Sequence, residues 1–255
     1  MNISDLKVYV TTSNEYVHVL KIFSHLFNKF WGPHQEVIIA GFDKYPDFDL
    51  PENFKFVSLG KQVVPYTDFC ADMRKLIDII EDDYFISLEE NEFIIRPVNF
   101  EILKAFQPHL NPDLGRVDFT RGVSTRPHTV IKKEENYDII SSNPEASYRV
   151  AMRAGIWNKS YLLSHCQHPI TTQAFEHVAT EKSRYDDHNI ISSSRDWAVT
   201  NMDGIKHTEG PFLTNLRSLP PTRSRGIPVD EETIQELIDL NFVQPLSNGF
   251  FQVVR

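Results

Sequence analysis

Short apolar strand-like runs alternate with amphipathic helical patterns through the first 90 residues, and this alternation limits the fold more than any other feature of the sequence. The strand-like runs lie at 6–11, 36–40, 54–59 and 83–88, and the helical patterns at 15–30 and 67–80. Helices that connect neighbouring parallel strands pack on the faces of the sheet. We therefore expect an α/β fold with a central, mostly parallel sheet flanked by helices.

The pattern beyond residue 98 is less regular but still mixes helices with strands. It predicts helices at 98–107, 158–166 and 172–184, and strands at 115–120, 137–141, 146–150, 188–192 and 197–202. The intervening stretch 121–136 is polar, and we expect it to be a mobile surface segment.

A change in composition near residue 217 suggests a domain boundary. Residues 217–228 contain three prolines, a glycine and three arginines, which is typical of a linker or surface arm. A final helix is predicted at 230–241 with Asp230 as its N-cap. The expected organisation is one domain over 1–216, with halves at 1–97 and 98–216, followed by a linker and C-terminal helical extension over 217–255.

Glycine is scarce, with 10 residues among 255, and this scarcity disfavours one large group of nucleotide sites. Neither a G-x-G-x-x-G nor a G-x-x-x-x-G-K-[ST] pattern occurs, so phosphate cradles of the dinucleotide or Walker type are not expected. The formal net charge of −9 disfavours a nucleic acid or an anionic membrane as partner.

The cysteines and the apolar runs do not suggest an exported or membrane-bound chain. Cys70 and Cys166 are far apart and form no C-x-x-C pair, so we expect two isolated buried thiols in a reducing compartment. No apolar run approaches the ~18 residues of a membrane helix. A cytoplasmic location is expected, in the host cytoplasm if the protein is viral.

Polar residues follow three of the predicted strands, where an open α/β sheet binds its ligands. These segments are 11–14 (TTSN), 41–43 (GFD) and 87–92 (SLEENE). The hydroxyls of the first can hydrogen-bond a base or a ribose. The carboxylates of the third can hold Mg²⁺ or Mn²⁺ beside a diphosphate, although a solvated acidic turn has the same composition.

The order of these elements and strings resembles that of the GT-A glycosyltransferases. In that family a nucleotide-sugar lies across the strand ends and an acidic motif follows the fourth strand, where this chain has DDYFISLEENEF at 82–93. The segment 147–163 (SYRVAMRAGIWNKSYLL) is similar to a strand ending in I-W and the helix after it in small bacterial and viral members. The segment 169–176 (PITTQAFE) resembles their helix with an acidic residue beside the acceptor. The resemblance spans about 5–215 and implies a Rossmann-like GT-A fold.

The resemblance also implies roles for individual residues. Glu176 would be the base that takes the proton from the acceptor hydroxyl in an inverting transfer. Positive charge for the leaving diphosphate would come from Arg149 and Arg153, or from Lys206 and His207. The residues assigned to the nucleotide-sugar donor are Thr11, Thr12, Ser13, Phe42, Asp72, Arg74, Glu90, Asn91, Arg149, Lys206 and His207.

One departure from the family pattern concerns the cation. The usual Asp-x-Asp is absent after the fourth strand, and residues 88–92 (LEENE) stand in its place. Glu90 with Asn91 or Glu92 can still ligate Mn²⁺ or Mg²⁺. Alternatively, cationic side chains alone hold the diphosphate.

Two further groups allow a structural and a functional interpretation. Trp157 and Trp197 suit either the core or stacking on a sugar ring, and the core is favoured. The segment 185–188 (YDDH) suits either a metal site or a polar turn, and the turn is favoured because a strand is predicted to begin there.

The sequence therefore predicts a glycosyltransferase that moves a sugar from a nucleoside-diphosphate sugar to a hydroxyl of a glycan or another acceptor. One alternative is a non-catalytic sugar- or nucleotide-binding protein with a degenerate acidic motif. Another is sugar transfer onto a modified base in DNA, for which the basic surface would be Arg217, Arg223 and Arg225.

Overall fold

The structure of the protein is a computed structural model. It describes residues 2–62, 68–119, 123–198, 200–201, 205–206, 213–214, 229–247 and 249–254. The predicted linker at 217–228 and the predicted donor residue His207 lie outside these ranges.

Strands and helices alternate as the sequence predicts. In chain order the strands are β1 (Val8–Thr11), β2 (Val37–Gly41), β3 (Phe54–Ser58), β4 (Tyr84–Glu89), β5 (Phe93–Ile94), β6 (Leu114–Asp118), β7 (His128–Lys133), β8 (Asp138–Ser142), β9 (Gly155–Asn158), β10 (Asn189–Ser193), β11 (Thr200–Asn201), β12 (Ile205–Lys206), β13 (Leu213–Thr214), β14 (Val243–Pro245) and β15 (Phe251–Val253). The helices are α1 (Leu20–Phe30), α2 (Phe69–Ile79), α3 (Phe100–Ala105), α4 (Lys159–His165), α5 (Thr172–Lys182) and α6 (Glu231–Asp239).

Within the described ranges, nine strands form the main sheet in the order β3-β2-β1-β4-β9-β6-β10-β8-β7. The first four strands are parallel to one another. Strand β9 runs antiparallel between β4 and β6, and β8 runs antiparallel to both β10 and β7. All strands except β8 and β9 therefore point the same way, and the prediction of a mostly parallel sheet is confirmed.

Helices cover both faces of the sheet because successive side chains along its strands alternate between two hydrophobic clusters. In β1, Val8 and Val10 belong to one cluster and Tyr9 to the other. Apolar residues of α1, α3 and α6 fill the first cluster, and those of α2, α4 and α5 fill the second. The protein is thus a three-layer α/β/α structure.

Polar side chains fix the starts of the helices by accepting hydrogen bonds from main-chain N–H groups that lack a helical partner. Asp68 accepts from Ala71 N at 3.0 Å at the start of α2, and Asp230 accepts from Thr233 N at 2.8 Å at the start of α6. Asp230 is the N-cap that the sequence predicts for the final helix. Asn158 and Thr171 cap α4 and α5 in the same way.

Two sequence expectations in the second half are wrong. No strand forms at 146–150, because Val150 directs its N–H and C=O to the hydroxyl of Thr180 (3.1 and 3.2 Å) and not to a neighbouring strand. The polar stretch 121–136 contains β7, which pairs with β8 at the edge of the sheet. Its side chains are all exposed, so the strand has no hydrophobic signature.

The C-terminal segment completes the core beside α1. Apolar residues of α6, β14 and β15 belong to the cluster that contains α1. His25 Nε2 lies 2.9 Å from Glu236 Oε1, and Lys29 pairs with the same carboxylate and donates to Thr233 Oγ1 at 2.9 Å. The predicted extension therefore consists of a helix and two strands that pack into the domain. No helix in the described part of the chain is both long enough and apolar enough to cross a membrane.

Replacement of Leu237 tests the contribution of this packing. Its side chain is fully buried, so Leu237→Ala is expected to lower the free energy of unfolding by about 2–5 kcal/mol in urea denaturation. Leu240→Ala removes the same atoms from a side chain that is 44% exposed and is expected to cost less than about 0.5 kcal/mol. Equal losses in the two variants would contradict the packing of α6 on α1.

Candidate functional site

A cavity of about 790 Å³ opens at the carboxyl ends of the central strands. From β1 the chain proceeds to β2 and β3 on one side, and later to β4 on the other. Connections leave β1 and β4 in opposite directions, so no loop fills the space between their carboxyl ends. This topological switch point is where the sequence predicts the ligand site, and the volume is that of a typical small-molecule pocket.

The floor of the cavity consists of the segments that leave β1 and β4. Thr11, Thr12 and Ser13 line one side, and Glu89, Glu90 and Asn91 the other. The two segments are held together by a hydrogen bond from Glu90 N to Thr11 O at 3.3 Å. Ser13 Oγ and Asn91 Oδ1 are buried and have no hydrogen-bond partner in the described structure. Both residues line the cavity, where a ligand that reaches these atoms would supply the missing hydrogen-bond partners.

Two helices begin at the cavity wall. Asp68 and Phe69 at the start of α2, and the segment 171–173 at the start of α5, line the cavity. Phe69 N donates to Ile170 O at 2.8 Å, which joins the two helix starts. The N-terminus of a helix carries partial positive charge. At α2 this charge is opposed by the carboxylates of Asp68 and Asp72, whereas the start of α5 has the uncharged cap Thr171 and no acidic residue in its first turn.

Burial raises the pKa of the glutamates that follow β4. Glu90 is 8% exposed, and desolvation raises its pKa to about 8. Desolvation also raises the pKa of Glu89 well above its usual range, and the charges of Glu92, Glu90 and Glu176 raise it further. Arg153, which lines the cavity, acts in the opposite direction on Glu89. Both acids at the floor are thus held nearer to their neutral form than free glutamate is.

A buried polar network positions Arg153 beside these acids. Arg116 is fully buried, and it donates to Asp118 Oδ2 at 3.0 Å and to Arg153 O at 2.9 Å. Glu92 Oε2 accepts from Ala154 N at 2.7 Å. The C=O of Arg153 and the N–H of Ala154 are therefore both held by side chains, one from β6 and one from the segment after β4.

Glu176 lines the same cavity as the acidic residues of the floor. It lies in the second turn of α5, lines the cavity, and accepts a hydrogen bond from Met152 N at 2.9 Å through Oε1. Its charge raises the pKa of Glu89, and both residues line the cavity. Met152 and Arg153 thus connect the Glu176 side of the cavity to the floor.

The structure brings most of the predicted site residues together. Those that line the cavity are Thr11, Thr12, Ser13, Phe42, Asp72, Glu90, Asn91 and Glu176. Arg74 and Arg149 are not among them, because their guanidinium groups donate to main-chain carbonyls elsewhere: Arg74 to Cys166 O at 2.6 Å, and Arg149 to Ser183 O and His188 O. For Lys206 the structure describes only the main chain, in β12.

Trp157 and Trp197 lie in the core and the 185–188 segment forms a turn, which are the structural roles that the sequence favours over the functional ones. Trp157 and Trp197 are 0% and 1% exposed in the core. Asp186 O lies 2.8 Å from His188 Nδ1, and this contact lies within a local polar turn. The sequence did not lead us to predict that the start of α5 forms part of the cavity wall. Thr171 before a helical pattern is nevertheless a recognisable N-cap signal.

The acidic floor does not form a metal cage from protein side chains alone. Nowhere in the described ranges do three or more His, Cys, Asp or Glu side chains surround a common point suited to a metal ion. Glu92, one of the predicted ligands, is 1% exposed and does not line the cavity. Glu90 and the unpartnered Oδ1 of Asn91 remain as oxygen donors, which is a set that suits a hard cation sharing its ligands with a substrate.

A double-mutant cycle on Arg116 and Asp118 tests the buried network. Arg116→Met is expected to lower the free energy of unfolding by about 3–5 kcal/mol, since it leaves a buried carboxylate without its guanidinium partner. Adding Asp118→Leu is expected to recover at least half of that loss in urea denaturation. Additive losses in the double variant would mean that the pair does not hold this part of the site.

Comparisons with known proteins give structural similarities only. No protein-family model and no curated protein matches the sequence. The chain is similar to the structure of a CMP:2-keto-3-deoxy-manno-octonic acid synthetase complexed with CTP, with 14% identity and a TM-score of 0.39 over 74% of this chain and 88% of that one. It is also similar to a cytidylyltransferase from Leptospira borgpetersenii serovar Hardjo-bovis, with 9% identity and a TM-score of 0.44 over 78% of this chain and 82% of that one.

Proposed function

We propose that the protein transfers a sugar from a nucleoside-diphosphate sugar to a hydroxyl acceptor, with the cavity as donor site and Glu176 as catalytic base. The observation that carries the proposal is that one cavity at the switch point combines Glu176 with Arg153 and with the polar ends of β1 and β4. Such a transfer requires a floor that binds hydroxyls, a cationic group, and a carboxylate opposite the floor.

The donor fits the cavity by the chemistry of its lining. The hydroxyls of Thr11 and Ser13 are suited to a ribose or a base, and Phe42 offers an aromatic ring beside them. The start of α5 and the Arg153 guanidinium supply positive charge for a diphosphate. Asp72 lies on the same wall, where its carboxylate is paired with Lys75 Nζ at 2.9 Å.

The reaction requires one proton transfer and one displacement. The Glu176 carboxylate takes the proton from the acceptor hydroxyl as the acceptor oxygen forms a bond to the anomeric carbon of the donor. The bond from that carbon to the diphosphate oxygen breaks, and the nucleoside diphosphate leaves with the electron pair. Arg153 stabilises the charge that develops on the leaving oxygen. Attack from the face opposite the diphosphate inverts the anomeric centre.

The same proposal includes Mg²⁺ or Mn²⁺ with Glu90 and Asn91 as its protein ligands. A cation of this kind is commonly held by one or two carboxylates together with substrate phosphates, which agrees with the absence of a three-residue cage among the described side chains. When bound, it would supply positive charge to the diphosphate. Arg153 and the start of α5 act on the diphosphate with or without it.

Binding of a donor can be measured directly. A thermal-shift series with UDP-, GDP-, dTDP- and CMP-sugars, each with and without Mn²⁺, is expected to show stabilisation by at least one donor. At a donor concentration of 100 Kd the gain is about 2.7 kcal/mol, which raises Tm by about 5–10 °C in a chain of this size. If no donor shifts Tm under either condition, the proposed function is wrong.

Glu176→Gln separates catalysis from binding. Glutamine keeps the size and a hydrogen-bond acceptor for Met152 N but cannot take a proton, so the rate of transfer is expected to fall by about 10²–10⁴-fold while the donor-induced thermal shift persists. Glu181→Gln, on the same helix with a side chain that is 64% exposed, is the matched control and is expected to retain wild-type turnover. Undiminished transfer by Glu176→Gln would remove the catalytic role. Donor binding without turnover in the wild type would favour a binding protein.

A further inference from the structure

An exposed aromatic pair is formed by Tyr148, in the loop between β8 and β9, and His177, which follows Glu176 on α5. The rings of Tyr148 and His177 are 5.2 Å apart between centroids, and both side chains are exposed. His177 follows Glu176 in sequence and lies one helical turn beyond Gln173, which lines the cavity. Since residues four apart share a helix face, His177 lies on the face of α5 whose residue Gln173 lines the cavity.

Tyr148 is held in an unusual backbone conformation. Its φ is 51°, in the left-handed region that tyrosine rarely adopts. Arg126 Nη1 donates to Tyr148 O at 2.8 Å, and the same guanidinium lies 5.8 Å from the centre of the Tyr148 ring. Backbone strain of this kind persists where the surroundings enforce it and is concentrated at ligand-binding sites.

The loop that carries Tyr148 is fastened to α5. The main chain of Val150 is bonded to Thr180 Oγ1, and Met152 N donates to Glu176. The aromatic pair and the proposed base are therefore parts of one connected unit. A group bound on the pair is held at a fixed distance from Glu176.

We propose that Tyr148 and His177 form the acceptor subsite and that the acceptor is a saccharide. The inference rests on the proposed function, since it takes Glu176 as the base. The strand ends, Arg153 and the helix starts line the cavity together with Glu176, whereas Tyr148 and His177 do not line it. A sugar ring offers an apolar C–H face for an aromatic ring and hydroxyls for the polar neighbours, namely Arg126, His177 and Gln173.

Tyr148→Asn is the central variant, because asparagine tolerates the left-handed conformation and removes the ring. Kinetics use the donor identified by thermal shift and a panel of methyl glycosides as acceptors. We expect the acceptor KM to rise about 3- to 10-fold, with a smaller change in the donor KM. Tyr148→Phe keeps the ring and is expected to restore the wild-type acceptor KM.

Tyr185→Asn provides the matched control. Tyr185 is 82% exposed and lies beyond the end of α5, so its replacement is expected to leave both KM values unchanged. A thermal melt of Tyr148→Asn, compared with that of Tyr185→Asn, verifies that both variants are folded.

The results distinguish this inference from the proposed function on which it rests. If the wild type binds and hydrolyses the donor but Tyr148→Asn has the wild-type acceptor KM, the subsite is wrong and the proposed function stands. If the donor is hydrolysed and no methyl glycoside accelerates release of the nucleoside diphosphate, the saccharide acceptor is wrong, and a protein or nucleic-acid hydroxyl replaces it. If no donor binds, the proposed function itself fails.

Discussion

The structure depends on the burial of its central strands on both faces. Side chains of β1, β2 and β4 alternate between two hydrophobic clusters, and each cluster must be covered by a layer of helices. The connections that carry these helices leave β1 and β4 in opposite directions, which opens the cavity at the carboxyl ends. The location of the candidate site is thus a consequence of how the core is buried.

Charge at the bottom of this cavity is balanced by elements that come from distant parts of the chain. The acidic residues after β4 are desolvated, and Arg153, which lines the cavity, is the positive group that opposes the rise in the pKa of Glu89. Arg153 is held in place through its main chain by Arg116. In a glycine-poor chain, the guanidinium of Arg153 takes the place of a glycine-rich loop as the source of positive charge at the cavity.

The first half of the fold could be predicted because its signals are local. The apolar runs of β1 to β4 and the caps Asp68 and Asp230 are visible within a few residues of sequence. The second half was harder, since its pairing is not local: Val150 bonds to Thr180 instead of a strand, and β7 is exposed on all sides at the edge of the sheet.

The site could be predicted to a similar extent and for the same reason. The strand ends at 11–13 and 89–91, and Glu176, were predicted from local patterns and from a family resemblance, and the structure places them in the lining of one cavity. Local sequence gives no indication that Arg149 donates to the carbonyls of residues 183 and 188 while Arg153, four positions on, lines the cavity. The direction of each arginine is set by tertiary packing.

The contact between α1 and α6 also bears on how the chain folds during its synthesis. His25 and Glu236 are separated by 211 positions, so a ribosome working at about 5–20 residues per second needs at least about ten seconds to supply the second partner after the first. During that interval the surface of α1 that α6 will cover is open to other apolar segments. The seam between the two helices is therefore among the last parts of the core to close, and it is where a chaperone or an incorrect partner has the longest access to the nascent chain.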